Sequence, residues 1–116
     1  IHNILLDKNL TPKERMEKYL DKVQEINLSS GAGCLFGNIG LETKLQNIQI
    51  KKKISSYFDR WVNLAATYFT EIMPTELARD RAKRFVPELE GAIMFSTVND
   101  DPQYFISMKK NILSSI

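Results

Sequence analysis

The 116-residue chain predicts an all-α fold of about five helices, the last two forming half of a dimeric four-helix bundle. Three observations carry this reading. Apolar residues recur at helical spacing over long stretches, with no alternating strand pattern. Only 5 glycines and 4 prolines interrupt the chain, which favours long helices. The two C-terminal stretches are apolar over more of their circumference than one core face needs.

Each element has its own signal. Residues 1–8 form a short apolar-polar segment that reads as the end of a helix. Thr11-Pro12-Lys13-Glu14 is a helix start: Thr11 caps, Pro12 suits the first turn and Glu14 completes a capping box. Met16, Tyr19, Leu20, Val23 and Ile26 then define a helix over about 12–28, with Glu14 and Lys18 as an i,i+4 pair. Ser29-Ser30-Gly31-Ala32-Gly33 ends it. A second helix over about 34–45 is apolar almost all round. Cys34, Asn38 and Leu41 share one of its faces, and Gly37 and Gly40 another, where a neighbouring backbone fits closely.

The third helix, about 48–73, concentrates the aromatic residues. Tyr57, Phe58, Trp61, Tyr68 and Phe69 lie in its apolar half, opposite Asp59, Arg60, Asn63 and Glu71. Pro74-Thr75 opens a fourth helix to about 98, striped with Ala78, Ala82, Phe85, Leu89 and Ile93. Pro87 inside it predicts a kink or a lost hydrogen bond. Asn99-Asp100-Asp101-Pro102 is a capped turn into a last helix over about 102–115. Apolar residues surround most of both C-terminal helices. Either they are buried within one protomer, or they meet a second copy; a small domain has few other helices to cover them, and two-fold dimers are the commonest assembly.

Composition excludes several function classes. The formal charge of +2 does not announce a nucleic-acid binder. No apolar run is long enough for a membrane span, and the N-terminus is no signal peptide. A chain opening on Ile1 without an initiator Met reads as a piece of something longer. One His and one Cys make no metal cluster and no nucleophile-base pair, and His2, near the chain end, reads as an ordinary polar residue. Gly31, Gly33, Gly37 and Gly40 lack the Lys-Ser/Thr of a phosphate loop. Lys51-Lys52-Lys53 and Arg79, Arg81, Lys83, Arg84 read as solvated helix faces, the second run interleaved with acids. Neither an enzyme nor a cofactor is expected. What remains is a helix-lined apolar centre with a few polar groups, which serves either as solid core or as a small-molecule pocket.

Gly33-Cys34-Leu35-Phe36-Gly37-Asn38 after a Thr-Pro-initiated helix resembles the C-terminal domain of TetR-family transcriptional regulators. Glu90-Gly91-Ala92, then Asp101-Pro102 and a final amphipathic helix, is similar to the end of that domain. The resemblance covers essentially all of 1–116 and implies an effector-binding and dimerisation domain. It also implies a helix-turn-helix domain before residue 1, which alone would touch DNA, with residues 1–8 as the tail of the connecting helix. Most such proteins are cytoplasmic repressors, released from the operator by a ligand, here expected to be small and apolar or amphipathic. The implied pocket residues are Cys34, Asn38, Leu41, Tyr57, Phe58, Trp61, Tyr68 and Leu89. The implied homodimer contacts are Phe85, Ala92, Met94, Phe95, Tyr104, Phe105, Met108 and Ile112. Pro87 and the short Met73-Pro74-Thr75 connection depart from the family pattern. The rival reading is a helical protein-protein interaction module with a solid core and no ligand.

Overall fold

A computed structural model describes residues 1–28 and 47–116. The expected helix over 34–45, with Cys34, Asn38 and Leu41, lies outside the described residues. Within them the chain is helical: a 3-10 turn at His2–Leu6, then α1 (Pro12–Leu28), α2 (Ile48–Phe69), α3 (Thr75–Val98) and α4 (Gln103–Ser114).

The local signals act as anticipated at most ends. The capping box at the start of α1 is reciprocal: Glu14 N donates to Thr11 Oγ1 (3.2 Å) and Thr11 N to Glu14 Oε1 (3.0 Å). That contact holds the Glu14 carboxylate, so the expected Glu14–Lys18 pair does not form. Asn47 caps α2 by accepting from Ile50 N at 3.0 Å. The helix α2 stops at Phe69, short of 73. The chain tightens there, with Met73 N bonded to Phe69 O, before Pro74 starts the next helix. The helix α3 runs unbroken through Pro87. Proline cannot donate to the Lys83 carbonyl, but both residues are exposed, so that oxygen is open to solvent and the lost bond costs little.

The turn between α3 and α4 uses its polar residues fully. Asp100 adopts φ 49°, a left-handed conformation that Asp tolerates. Asp101 Oδ1 accepts from Gln103 N (3.0 Å), and the buried Ser96 hydroxyl accepts from Phe105 N (3.1 Å). One of the free first-turn amides of α4 is thereby satisfied from α3.

The most extensive packing is α2 against α3, with α4 also against α3 and α1 bridging the N-terminal turn, α3 and α4. Trp61, Ala65, Tyr68 and Phe69 from α2 meet Ala78, Ala82, Phe85, Leu89 and Ile93 from α3. The small alanines let the helices close while the aromatics interlock, as Phe69 does edge-on against Phe85 at 5.5 Å. Met16, Tyr19, Leu20 and Leu5 close the core from the α1 side.

Three expected dimer contacts are corrected by this packing. Phe85, Phe105 and Ile112 are buried inside the protomer and form its core. Helical spacing placed them on apolar faces, but not on which face turns inward. Met94, Phe95 and Tyr104 do lie exposed, with Val98 beside them, and Phe95 meets Tyr104 edge-on at 5.6 Å. Ala92 and Met108 are half-buried.

Candidate ligand-binding site

One side of α2 faces the N-terminal turn. Tyr57 and Trp61, four residues apart, stand on that side, with Phe58 next to them. In a 3-10 turn residues three apart eclipse, so His2 shares the inner side with the fully buried Leu5. His2 is thereby carried onto the aromatic residues of α2.

The contacts are specific. His2 Nδ1 lies 2.8 Å from the Tyr19 hydroxyl, and Nε2 lies 2.9 Å from the Tyr57 hydroxyl. The imidazole stacks on the Trp61 indole at 4.7 Å and 25°. Phe58 also stacks on Trp61, at 6.1 Å and 21°. A neutral ring fits between two phenols, donating through one nitrogen and accepting through the other. Burial lowers the His2 pKa from 6.5 to about 4, with a smaller contribution from the ammonium of residue 1 where the chain begins there. Burial pushes the Tyr19 phenol well above its ordinary range. The Trp61 Nε1 is buried beside the Tyr19 hydroxyl without reaching hydrogen-bond geometry. Next to this cluster opens a cleft of about 310 Å³, lined by Ile1, His2, Asn3, Tyr57, Arg60, Trp61 and Leu64.

The lowered His2 pKa sets a direction for acid stability. The unfolded chain binds a proton near pH 6.5 and the folded chain only near 4, so stability falls as pH drops through that window. Discounted for the partial exposure of the ring, the loss is roughly 1–2 kcal/mol. Urea denaturation at neutral pH and at about pH 4.5 is expected to show this component in the wild type. It should be missing from His2→Gln, which isolates it from carboxylate titration.

The residues expected to line a pocket divide into three groups. Tyr57, Phe58 and Trp61 come together at the cleft. Tyr68 and Leu89 are fully buried deeper in the core. The Tyr68 hydroxyl donates to the Pro12 carbonyl at 2.7 Å, fastening α2 to the start of α1, and burial raises its pKa to about 12. Cys34, Asn38 and Leu41 lie outside the described residues. The residue that sequence reasoning undervalued is His2. Its three-residue offset from Leu5 was the available signal.

Among the described residues no group of His, Cys, Asp or Glu is arranged to hold a metal, and no helix is long and apolar enough to cross a membrane. The sequence matches the family described as transcriptional regulator LmrA/YxaF-like, C-terminal domain, over residues 12–111. The chain belongs to this TetR family. No curated protein and no solved structure matches it. The TetR C-terminal domain is a helical, regulatory, non-enzymatic unit that generally dimerises and binds effectors. Within this TetR-type domain, the His2–Tyr57–Trp61 cleft is where placed polar groups meet an aromatic wall.

Proposed function

We propose that residues 1–116 form the effector-binding and dimerisation domain of a cytoplasmic TetR-like repressor. A small apolar or amphipathic ligand releases it from its operator, and an N-terminal helix-turn-helix domain makes the DNA contacts. The observation that carries this reading is His2 held between two phenols and stacked on Trp61 at the edge of the cleft. Pockets of this kind combine an apolar wall with a few oriented polar groups.

The same residue suggests how the signal leaves the site. His2 belongs to the segment that, in a TetR regulator, continues the helix joining the two domains. A ligand that binds better with this segment in one position than in another shifts the spacing of the DNA-binding heads by that difference in affinity, and by no more. The exposed Met94, Phe95, Val98 and Tyr104 on α3 and α4 support a homodimer through those helices.

A thermal-shift screen of small amphipathic compounds tests the proposal, since a ligand specific to the folded state raises the melting temperature. Trp61 is the chain's single tryptophan, so its fluorescence reports binding directly. Trp61→Ala is expected to weaken a hit about tenfold or more by calorimetry, and Tyr57→Phe to weaken it less. Full affinity in Trp61→Ala would remove the site. A screen in which nothing stabilises the chain would favour the interaction module with a solid core.

A further inference from the structure

A second cleft continues the first along α2. It measures about 500 Å³ and is lined by Lys52, Lys53, Ile54, Ser56, Tyr57 and Arg60. Tyr57 and Arg60 line both clefts. The reason is helical: Lys53, Ser56, Tyr57, Arg60, Trp61 and Leu64 follow the i, i+3, i+4, i+7, i+8, i+11 pattern, which is one continuous stripe. The stripe is basic at one end and aromatic to aliphatic at the other.

Among the described residues its charge has no acidic partner. Arg15, Arg81, Arg84, Lys8, Lys22 and Lys109 each face a carboxylate, whereas other exposed cations such as Lys13, Lys83 and Lys110 do not; what sets the groove apart is that its cations gather around an apolar floor. Among the described residues, Lys52, Lys53 and Arg60 have no such partner, and no acidic side chain lines either cleft. Asp59, next in sequence to Arg60, lines neither. Unpaired cations around an apolar floor attract an anion that also carries apolar surface. A guanidinium at the rim matches a carboxylate or sulfonate with two parallel donors.

We propose that the groove along α2 binds an amphipathic organic anion, with its apolar body along Tyr57, Leu64 and the small exposed edge of Trp61, and its charged group at Arg60 and Lys53. This rests on the effector-site reading and adds the charge of the ligand to it. Duplex DNA is a poorer fit, because its phosphates call for cations spread along a line rather than gathered around an aromatic wall.

Two fluorescent probes with the same ring system separate charge from apolar contact: 8-anilinonaphthalene-1-sulfonate, and its neutral counterpart N-phenyl-1-naphthylamine. The full chain is expected to bind the sulfonate about tenfold more tightly than the neutral probe, the size of one good charge-assisted contact. The double variant Lys53→Gln/Arg60→Gln should abolish that preference and leave affinity for the neutral probe unchanged. Both positions are exposed and Gln is a good helix former, so far-UV dichroism and melting temperature should match the wild type. The control Lys13→Gln/Lys110→Gln removes the same charge elsewhere and should leave the preference intact.

Equal affinity for the two probes, failure of both to bind, or an unchanged double variant would overturn the anion proposal. So would an equal loss in the control, which would mean general attraction, or binding of duplex DNA that competes with the sulfonate and depends on the same two cations. The effector-site reading fails separately, if Trp61→Ala keeps full affinity for the neutral probe.

Discussion

Phe85→Ala is expected to destabilise the folded protomer by about 3–5 kcal/mol and to leave self-association unaffected. Phe85 is fully buried, edge-on to Phe69 at 5.5 Å and tilted against Tyr19 at 6.3 Å. The Arg81 guanidinium stands 5.4 Å from the Phe69 ring and 5.9 Å from Phe85, adding a cation–π contact. Truncation removes the contacts with Phe69, Tyr19 and Arg81 that Phe85 makes, and leaves a cavity that three helices cannot easily collapse. Against a typical total stability of about 5–15 kcal/mol, such a loss leaves little margin. Phe95→Ala makes the opposite case. Its ring is half exposed on α3, so the folded protomer should change little while affinity in the proposed dimer falls. Urea denaturation and sedimentation equilibrium on both variants check the pair. A large folding cost in Phe95→Ala, or a lost dimer with a stable fold in Phe85→Ala, would reverse the assignment of core and interface.

Arg15→Ala is the second large effect, expected at about 2–4 kcal/mol. Arg15 is 4% exposed, an unusual place for a guanidinium. It is tolerated because its donors are used: Nε donates to the Leu10 carbonyl at 2.9 Å and Nη1 to Glu71 Oε2 at 2.5 Å. Lys8 holds the other Glu71 oxygen at 2.9 Å. Removing Arg15 leaves the Leu10 carbonyl without that bond and opens a void between α1 and the end of α2. Arg15→Lys is expected to recover only part of the loss, because one ammonium on a flexible stem does not reproduce the guanidinium's fixed fork of donors. The hydrogen bonds from Lys8 and then Arg15 also hold the Glu71 carboxyl below the usual carboxylate range. Its contribution is therefore present above the ordinary carboxylate pKa and is lost as pH falls through the lowered one. Chemical denaturation of the three proteins, followed from neutral to acid pH, measures both effects.

The helices were legible where their signals are local. Thr11 with Glu14, and Pro74 before Thr75, mark the starts of α1 and α3, because caps act within one turn. The end of α2 was less legible: Glu71, Ile72 and Met73 continue a helical pattern in composition, yet the chain turns after Phe69. Of the site, Tyr57, Phe58 and Trp61 were legible as an aromatic stripe. Its polar centre was not, since a lone histidine near the start of a chain has no periodic pattern around it. Pro87 was read as a break because its missing donor is a local fact. Its harmlessness depends on that side of α3 facing water.

Periodicity, caps and the scarcity of glycine and proline were enough for the helices of the described residues and most of their boundaries, while the family came from the resemblance carried by Gly33–Asn38, Glu90–Ala92 and Asp101-Pro102. These are properties of neighbours within a few residues, where side-chain spacing and backbone hydrogen bonding act directly. Partnership across the chain came from packing alone. His2 meets residues 17 and 55 positions away, and Arg15 meets Glu71 at a separation of 56. A helix with two apolar faces states that both must be covered. Which one becomes core, as with Phe85 and Phe105, and which stays exposed, as with Phe95, follows from how the other helices dock. That is a collective choice of shape and volume, which no local spacing records.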